Sequence, residues 1–249
     1  MTYSSLVSHA ILLHTTFNSA CDWLYWGADE GRGETIGDNQ ETPQLINDAI
    51  LDVSAGPRYT LKVDVDGVAY AAGFVESKFE YLGHFGIDLN RLSNGSNDWK
   101  NIDSVVNDDG NQDDPPLFDK VYTGTTATAN SGEMHSLLID VNGNVFTMGN
   151  NNNGQLCLGD RAMRYLPHHV PFNAPAVAAA VGEDFSLILL SNGRVYGCGS
   201  NDRGQIGLGT DVSSVEVPNI INEMTNILDV SAGLTFSLFH AENGNVYGA

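Results

Sequence analysis

Short apolar runs alternate with turn residues along this chain, and no stretch of ten or more residues carries a helical apolar stripe. The clearest stretch is 176–209. Ala176–Val181 is small and apolar, and Phe185-Ser186-Leu187-Ile188-Leu189-Leu190 is an apolar run of strand length. Asn192-Gly193 is the strongest short-range hairpin signal, because both residues accept positive φ, and Arg194–Cys198 is the return strand. Gly204-Gln205-Ile206-Gly207 is read as a short fourth strand between turn residues. The pattern predicts a small antiparallel meander and an all-β chain.

The meander recurs. Gly56-x-x-Tyr59-Thr60-Leu61…Asp66-Gly67…Tyr70…Gly73 returns as Gly132-x-x-His135-Ser136-Leu137…Asn142-Gly143…Phe146…Gly149. It returns again as Gly182-x-x-Phe185-Ser186-Leu187…Asn192-Gly193…Tyr196…Gly199, and as Gly233-x-x-Phe236-Ser237-Leu238…Asn243-Gly244…Tyr247. The step is 50 residues from Gly132 to Gly182 and 51 from Gly182 to Gly233, whereas Gly56 to Gly132 is 76. A degenerate earlier unit is marked by Trp26-Gly27 and Gly33-Glu34…Gly37-Asp38, with Ser8–Leu12 as a candidate strand. The units fall at about 9–49, 50–128, 129–178, 179–227 and 228–249, in one domain. One such meander cannot cover both of its faces, but radial stacking gives every sheet a neighbour, which is the propeller solution. The Ala178-Ala179-Ala180 run suits a strand near a crowded axis.

The linked motifs at 132–160 and 182–209, including Gly154-Gln155-Leu156…Gly159-Asp160 and Gly204-Gln205-Ile206…Gly209, resemble the RCC1 (regulator of chromosome condensation 1) repeat. The resemblance covers most of 22–249 outside an insert. It implies an RCC1-like β-propeller of four-stranded antiparallel blades, of which about four to five are present, partial or open relative to seven. The family His survives as His135 but is Tyr59, Phe185 and Phe236 elsewhere. The family Trp survives as Trp26 but is Ala72, Met148 and Cys198 elsewhere. Family propellers can close by mixing N- and C-terminal strands in one blade, so residues 1–20 are expected to await a C-terminal partner strand, and the chain reads as a fragment or an open propeller.

Charge narrows the partners. Eleven Lys and Arg against 31 Asp and Glu give 11 − 31 = −20. Nucleic-acid binding requires clustered cations to displace phosphate counterions, and the basic residues here are scattered. RCC1 itself uses a basic N-terminal tail on chromatin, whereas Met1–Ala20 has no Lys or Arg. The expectation is no nucleic acid, no anionic membrane, and a protein partner that is basic or, by resemblance, a small GTPase. No apolar run reaches the roughly 18 residues of a membrane span. Three cysteines, Cys21, Cys157 and Cys198, form no CxxC motif. Cys157 and Cys198 read as buried free thiols, and the odd count without a framework favours a reducing cytoplasmic or nuclear setting over secretion and use of the sequon Asn94-Gly95-Ser96.

The insert, about 84–121, is what the period does not explain. Asn107–Asp114 and Pro115-Pro116 read as a polar loop with local disorder. It is the candidate partner-binding segment, with carboxylates at Asp108, Asp109, Asp113 and Asp114 and apolar anchors at Trp99, Leu117 and Phe118. Calcium is not expected, because the aspartates come as adjacent pairs and no bidentate Glu follows. Asp64-x-Asp66-Gly67 sits on a hairpin turn. His168-His169 point to opposite faces of an extended chain. No H-E-x-x-H, G-x-S-x-G or P-loop occurs, and no base accompanies Cys157 or Cys198. The reading is a non-enzymatic interaction scaffold with no cofactor and no metal. The alternative is a guanine-nucleotide exchange factor for a small GTPase, which forms no covalent bond. A secreted enzyme-inhibitory propeller is the minor alternative.

Overall fold

The computed structural model describes residues 13–17, 20–27, 40–46, 49–56, 59–73, 99–124, 134–209, 211–222 and 224–249. The Gly33…Asp38 motif, residues 84–98 of the insert, the sequon and Gly132 lie outside the described residues.

Five sheets follow one another along the described chain. The first holds β1 (Leu13–Phe17), β2 (Ala20–Gly27) and β3 (Gln40–Ile46). The second holds β4 (Ile50–Ala55), β5 (Tyr59–Asp64), β6 (Ala69–Gly73) and β7 (Lys100–Asn101). Between it and the third sheet lie the short strands β8 (Val105–Val106) and β9 (Gln112–Asp113). The third holds β10 (Phe118–Thr123), β11 (His135–Asp140), β12 (Val145–Gly149) and β13 (Arg164–Val170). The fourth holds β14 (Ala176–Val181), β15 (Phe185–Leu190), β16 (Val195–Ser200) and β17 (Ser214–Ile220). The last holds β18 (Ile227–Ala232), β19 (Ser237–Ala241) and β20 (Val246–Gly248). Strand pairing within each meander is antiparallel, and the first strands of successive sheets, β4, β10, β14 and β18, lie against one another as inner strands around an axis do. The alanine run of β14 is one of these inner strands.

The core is divided by junction, which is why β15 is apolar at every position but Ser186. All six residues of β15 are buried. Leu187 and Leu189 pack with Ile206, Val230 and Phe239 toward the last sheet, whereas Ile188 and Leu190 pack with Leu137, Ile139 and Ala179 toward the third. A third cluster, around Tyr59, Leu61, Val121 and Leu138, joins the second and third sheets. Alternate side chains of one strand therefore feed two different cores, so a continuous apolar run is required where a one-sided sheet needs only every second residue.

The sequence reading is refined at the hairpins and corrected at one strand. The hairpins are not two-residue turns with both residues at positive φ. Gly143 has φ +82° and Asn142 has ordinary φ, and Gly143 N–H donates to Asp140 O at 2.9 Å. This is a type I turn followed by one left-handed residue. The Asp140 carboxylate fixes it by accepting from the amides of Asn142 (2.9 Å) and Asn144 (2.8 Å), as Asp64 does from Asp66 and Val68. Second, Gly204–Gly207 is not a strand. It is a turn organised by Asn201, whose side chain donates to Gly209 O (2.8 Å) and Val212 O (2.7 Å) and accepts from Ile206 N–H (2.9 Å). The fourth strand follows as β17 and pairs with β16.

The last sheet has an uncovered face. Phe236 is 54% exposed and Leu238 43%, whereas their counterparts one unit earlier, Phe185 and Leu187, are both at 0%.

Candidate partner-binding surface

The described part of the insert is ordered structure and not a featureless loop, a correction to the sequence reading. Lys100–Asn101 completes the second sheet as β7, and Ile102, buried, donates its N–H to Ala69 O at 2.8 Å. Val106 then pairs parallel with His168 on the edge of β13, and β9 returns antiparallel to β8. Buried Val105 and Val106 supply the apolar grip. The insert thus lays a two-stranded flap along the outer edge of the third sheet, which covers β13's free backbone groups.

The tip of this flap carries the acids. Asn107 organises it, accepting from the amides of Asp109 (3.1 Å) and Asn111 (3.0 Å) and donating to Asp113 Oδ2 at 2.6 Å. Asp108, Asp109, Asp113 and Asp114 are all exposed. Asp108 also meets His169 Nδ1 at 2.5 Å across the flap–sheet boundary. The His169 ring lies 5.3 Å from Phe146, which in turn lies 5.7 Å from Phe118. Phe118 is 1% exposed and belongs to the core between the second and third sheets, so it anchors the surface from beneath and offers nothing to a partner. Leu117, the residue before it, is 56% exposed. Trp99 is half-buried, its ring 4.4 Å from Lys62 Nζ, at the other end of the insert. The structure brings the four aspartates together and leaves Trp99 apart from them. Beside Asp108 opens a cleft of about 430 Å³ lined by Asn142, Asn144, His169, Phe172 and Asn173.

The two adjacent histidines diverge. His168 Nδ1 lies 2.8 Å from Leu166 O, and burial lowers its pKa, so it stays neutral. Among the described residues no group of three or more His, Cys, Asp or Glu is placed to hold a metal ion.

Cys157 and Cys198 are joined as a disulfide, a correction to the expectation of free thiols. The residues are 41 apart in sequence, one on the loop after β12 and one on β16. The packing of one sheet on the next brings them together, which spacing alone did not reveal. The argument for a reducing compartment from unpaired cysteines falls with it.

A second polar constellation, missed from sequence, sits on the inner strands. Asp52 accepts from Val121 N–H at 2.9 Å, and Ser54 Oγ accepts from Thr123 N–H at 3.0 Å, so two side chains of β4 clamp the backbone of β10. The signal was present: Ile50-Leu51-Asp52-Val53-Ser54-Ala55-Gly56 is repeated residue for residue as Ile227–Gly233. Burial pushes the Asp52 carboxyl above its ordinary 3.8, outweighing the amides of Val121 and Val53 that pull it down. A carboxyl raised in the folded state favours folding below its unfolded pKa, and that contribution is lost as pH rises through the raised value. An Asp52→Asn variant keeps the acceptor without the charge. It is expected to melt at or above the unsubstituted protein at pH 7, the gap closing as pH falls below 4; a Tm below the parent at pH 7 would refute this. Tyr122, on β10, is likewise held protonated by burial, its pKa pushed up to about 12.

The architecture and the repeat agree with known proteins. A family model described as the regulator of chromosome condensation (RCC1) repeat matches residues 142–189 and 192–239, and a second of the same description matches 176–205. Residues 142–239 therefore carry RCC1 repeats. Prp20p from Saccharomyces cerevisiae superposes with a TM-score of 0.70 at 20% identity, over 91% of this chain and 53% of that one. Human WBSCR16 superposes with a TM-score of 0.68 at 19% identity, over 92% and 56%. The chain therefore spans about half the length of these solved structures, and its fold is an RCC1-like β-propeller, partial relative to theirs. No curated protein matches the sequence significantly.

The RCC1 repeat's Ser and His now have places. His135 Nε2 lies 2.9 Å from Ser186 Oγ in the next blade, which itself donates to Gln155 O at 2.8 Å. Tyr59 takes the His role at the preceding junction by meeting Ser136 Oγ at 2.6 Å. Phe185 has no polar tip, and at its junction Ser237 Oγ donates to Gln205 O alone of these groups, at 2.8 Å.

Proposed function

We propose that this RCC1-repeat chain is a non-enzymatic scaffold that binds a basic protein segment on the acidic flap of residues 107–114. The observation that carries the reading is the flap itself: four exposed aspartates on a hairpin tied to the third blade by a strand bridge, an Asp108–His169 contact and an Asn107 turn. An ordered acidic tip costs less conformational entropy on binding than a free loop. The net charge of −20 steers cations toward it. The structure of Prp20p is described together with its binding to Gsp1p and histones, and histones are basic. The cleft beside Asp108 is the size of a side-chain pocket, and Leu117 offers an exposed apolar contact. On this reading the protein works inside the cell, in the cytoplasm or nucleus, without nucleic acid or membrane.

The test uses a lysine-rich histone-tail peptide and a variant with Asp108, Asp109, Asp113 and Asp114 changed to Asn. Affinity at 50 mM salt should fall at least about tenfold in the variant, and binding to the parent should fade by about 0.5 M salt. Equal affinity of the two proteins would remove the flap as the contact.

A guanine-nucleotide exchange factor for a small GTPase is the second reading, supported by the RCC1 repeat and the likeness to Prp20p at the level of fold. Release of fluorescent GDP from a panel of small GTPases separates the two: no acceleration removes this reading and leaves the scaffold.

A further inference from the structure

We propose that Cys157 and Cys198 form a redox-operated lock on the junction between the third and fourth blades. Both positions depart from the repeat, and they depart together. Cys157 stands in Gly154-Gln155-Leu156-Cys157-Leu158-Gly159, where the next unit reads Gly204-Gln205-Ile206-Gly207-Leu208-Gly209. Gly207 has φ +89° and Cys157 has φ +62°, so the cysteine occupies a left-handed position that disfavours any residue with a Cβ. Cys198 stands where the other units carry Trp26, Ala72 and Met148. Both side chains sit in the apolar core of this junction, but packing alone does not call for a Cβ at the left-handed position of Cys157. Each is explained by the bond it makes with the other.

The junction does not need the bond in order to form. Ser186 Oγ donates to Gln155 O at 2.8 Å here, and Ser237 Oγ donates to Gln205 O at 2.8 Å at the next junction, which has no disulfide. The disulfide is therefore an addition to a junction of standard build. Reduction leaves the fold in place and leaves Cys157 strained for no return. The reduced Cys198 has an acceptor at hand, its Sγ being 3.4 Å from Gln155 O. Cys157 is 4% exposed and Cys198 0%, so exchange requires local opening of the junction, and the lock switches slowly. Oxidation by a small-molecule disulfide such as glutathione disulfide balances as follows. One thiolate attacks a sulfur of the oxidant and expels a thiol, and the second thiolate then displaces the other half. The protein loses two protons and two electrons, and the oxidant leaves as two thiols.

The experiment uses the full chain, equilibrated either with glutathione disulfide or with dithiothreitol. In the oxidised sample, alkylation under denaturing conditions should find one free thiol, Cys21, and peptide mapping should find Cys157 linked to Cys198. Dithiothreitol should lower the melting temperature by roughly 5–10 °C. Cys198→Ala should not respond to dithiothreitol. Adding Cys157→Gly, which restores the glycine of the repeat, to Cys198→Ala should leave its melting temperature equal or raise it, and this double variant serves also if the single one fails to fold. Three free thiols after oxidation, or a melting temperature unmoved by complete reduction, would overturn the proposal.

Discussion

A Gly199→Ala variant is expected to lose at least about 3–4 kcal/mol of folding stability, a large part of the roughly 5–15 kcal/mol that holds a domain together. Gly199 has φ +102°, where an L-residue alone loses about 1–2 kcal/mol. The larger share is steric. A Cβ there would stand 2.2 Å from Asp184 O and 2.7 Å from Phe185 Cα, both main-chain atoms that no rotamer can move aside. Phe185 is also the residue paired with Gly199 across β15 and β16, so the strands must separate at the most buried hairpin of the fourth blade. Gly204→Ala is the matched control. Its φ is +82°, but a Cβ would meet nothing within 4 Å, so only the conformational cost of about 1–2 kcal/mol applies. Urea unfolding checks both; equal losses in the two variants would contradict the steric account.

Tyr59→Ala should cost about 3–5 kcal/mol, the range for deleting a fully buried aromatic ring. Tyr59 is at 0% exposure in the core between the second and third blades. Its Oη donates to His135 O at 3.0 Å and accepts from Ser136 Oγ at 2.6 Å. Burial pushes the phenol pKa well up, so the hydroxyl keeps its proton. Tyr59→Phe separates ring from hydroxyl: it leaves the packing and strands the Ser136 hydroxyl, for about 1–2 kcal/mol. A Tyr59→Phe, Ser136→Ala pair should cost less than the sum of its singles, because removing both partners removes the stranded group. Additivity of the two would mean that the hydroxyls do not interact.

What the sequence disclosed, and what it withheld, follows the range of the forces involved. The meander, the hairpin positions and the stacked architecture were legible because alternate residues of Phe185–Leu190 feed two cores and Asn-Gly turns recur at a fixed step. The Asn-Gly dipeptide marked the hairpin but not its turn type, because it does not report that Asp140, two residues before Asn142, holds the loop. The Gly204–Gly207 turn passed for a strand because its organiser, Asn201, acts through its side chain. The four aspartates were found from composition, but their setting was not. Val105 and Val106 are too short a run to read as a strand, and their partner, His168, lies 62 residues on from Val106. The disulfide joins two units and has no local signature beyond the loss of one glycine. The duplicated heptapeptide at 50–56 and 227–233 was there to be seen, and only the contact of Asp52 with Val121 gives it meaning.

Amide hydrogen exchange across the strands tests the stacking of blades most directly. If each central strand is covered by the blade on either side, β11 and β15 hold the slowest amides. By the same reasoning β19, with Leu238 on an uncovered face, exchanges markedly faster despite pairing with both β18 and β20. Protection of β19 equal to that of β15, or rapid exchange in β11, would contradict the arrangement of repeats as neighbouring blades.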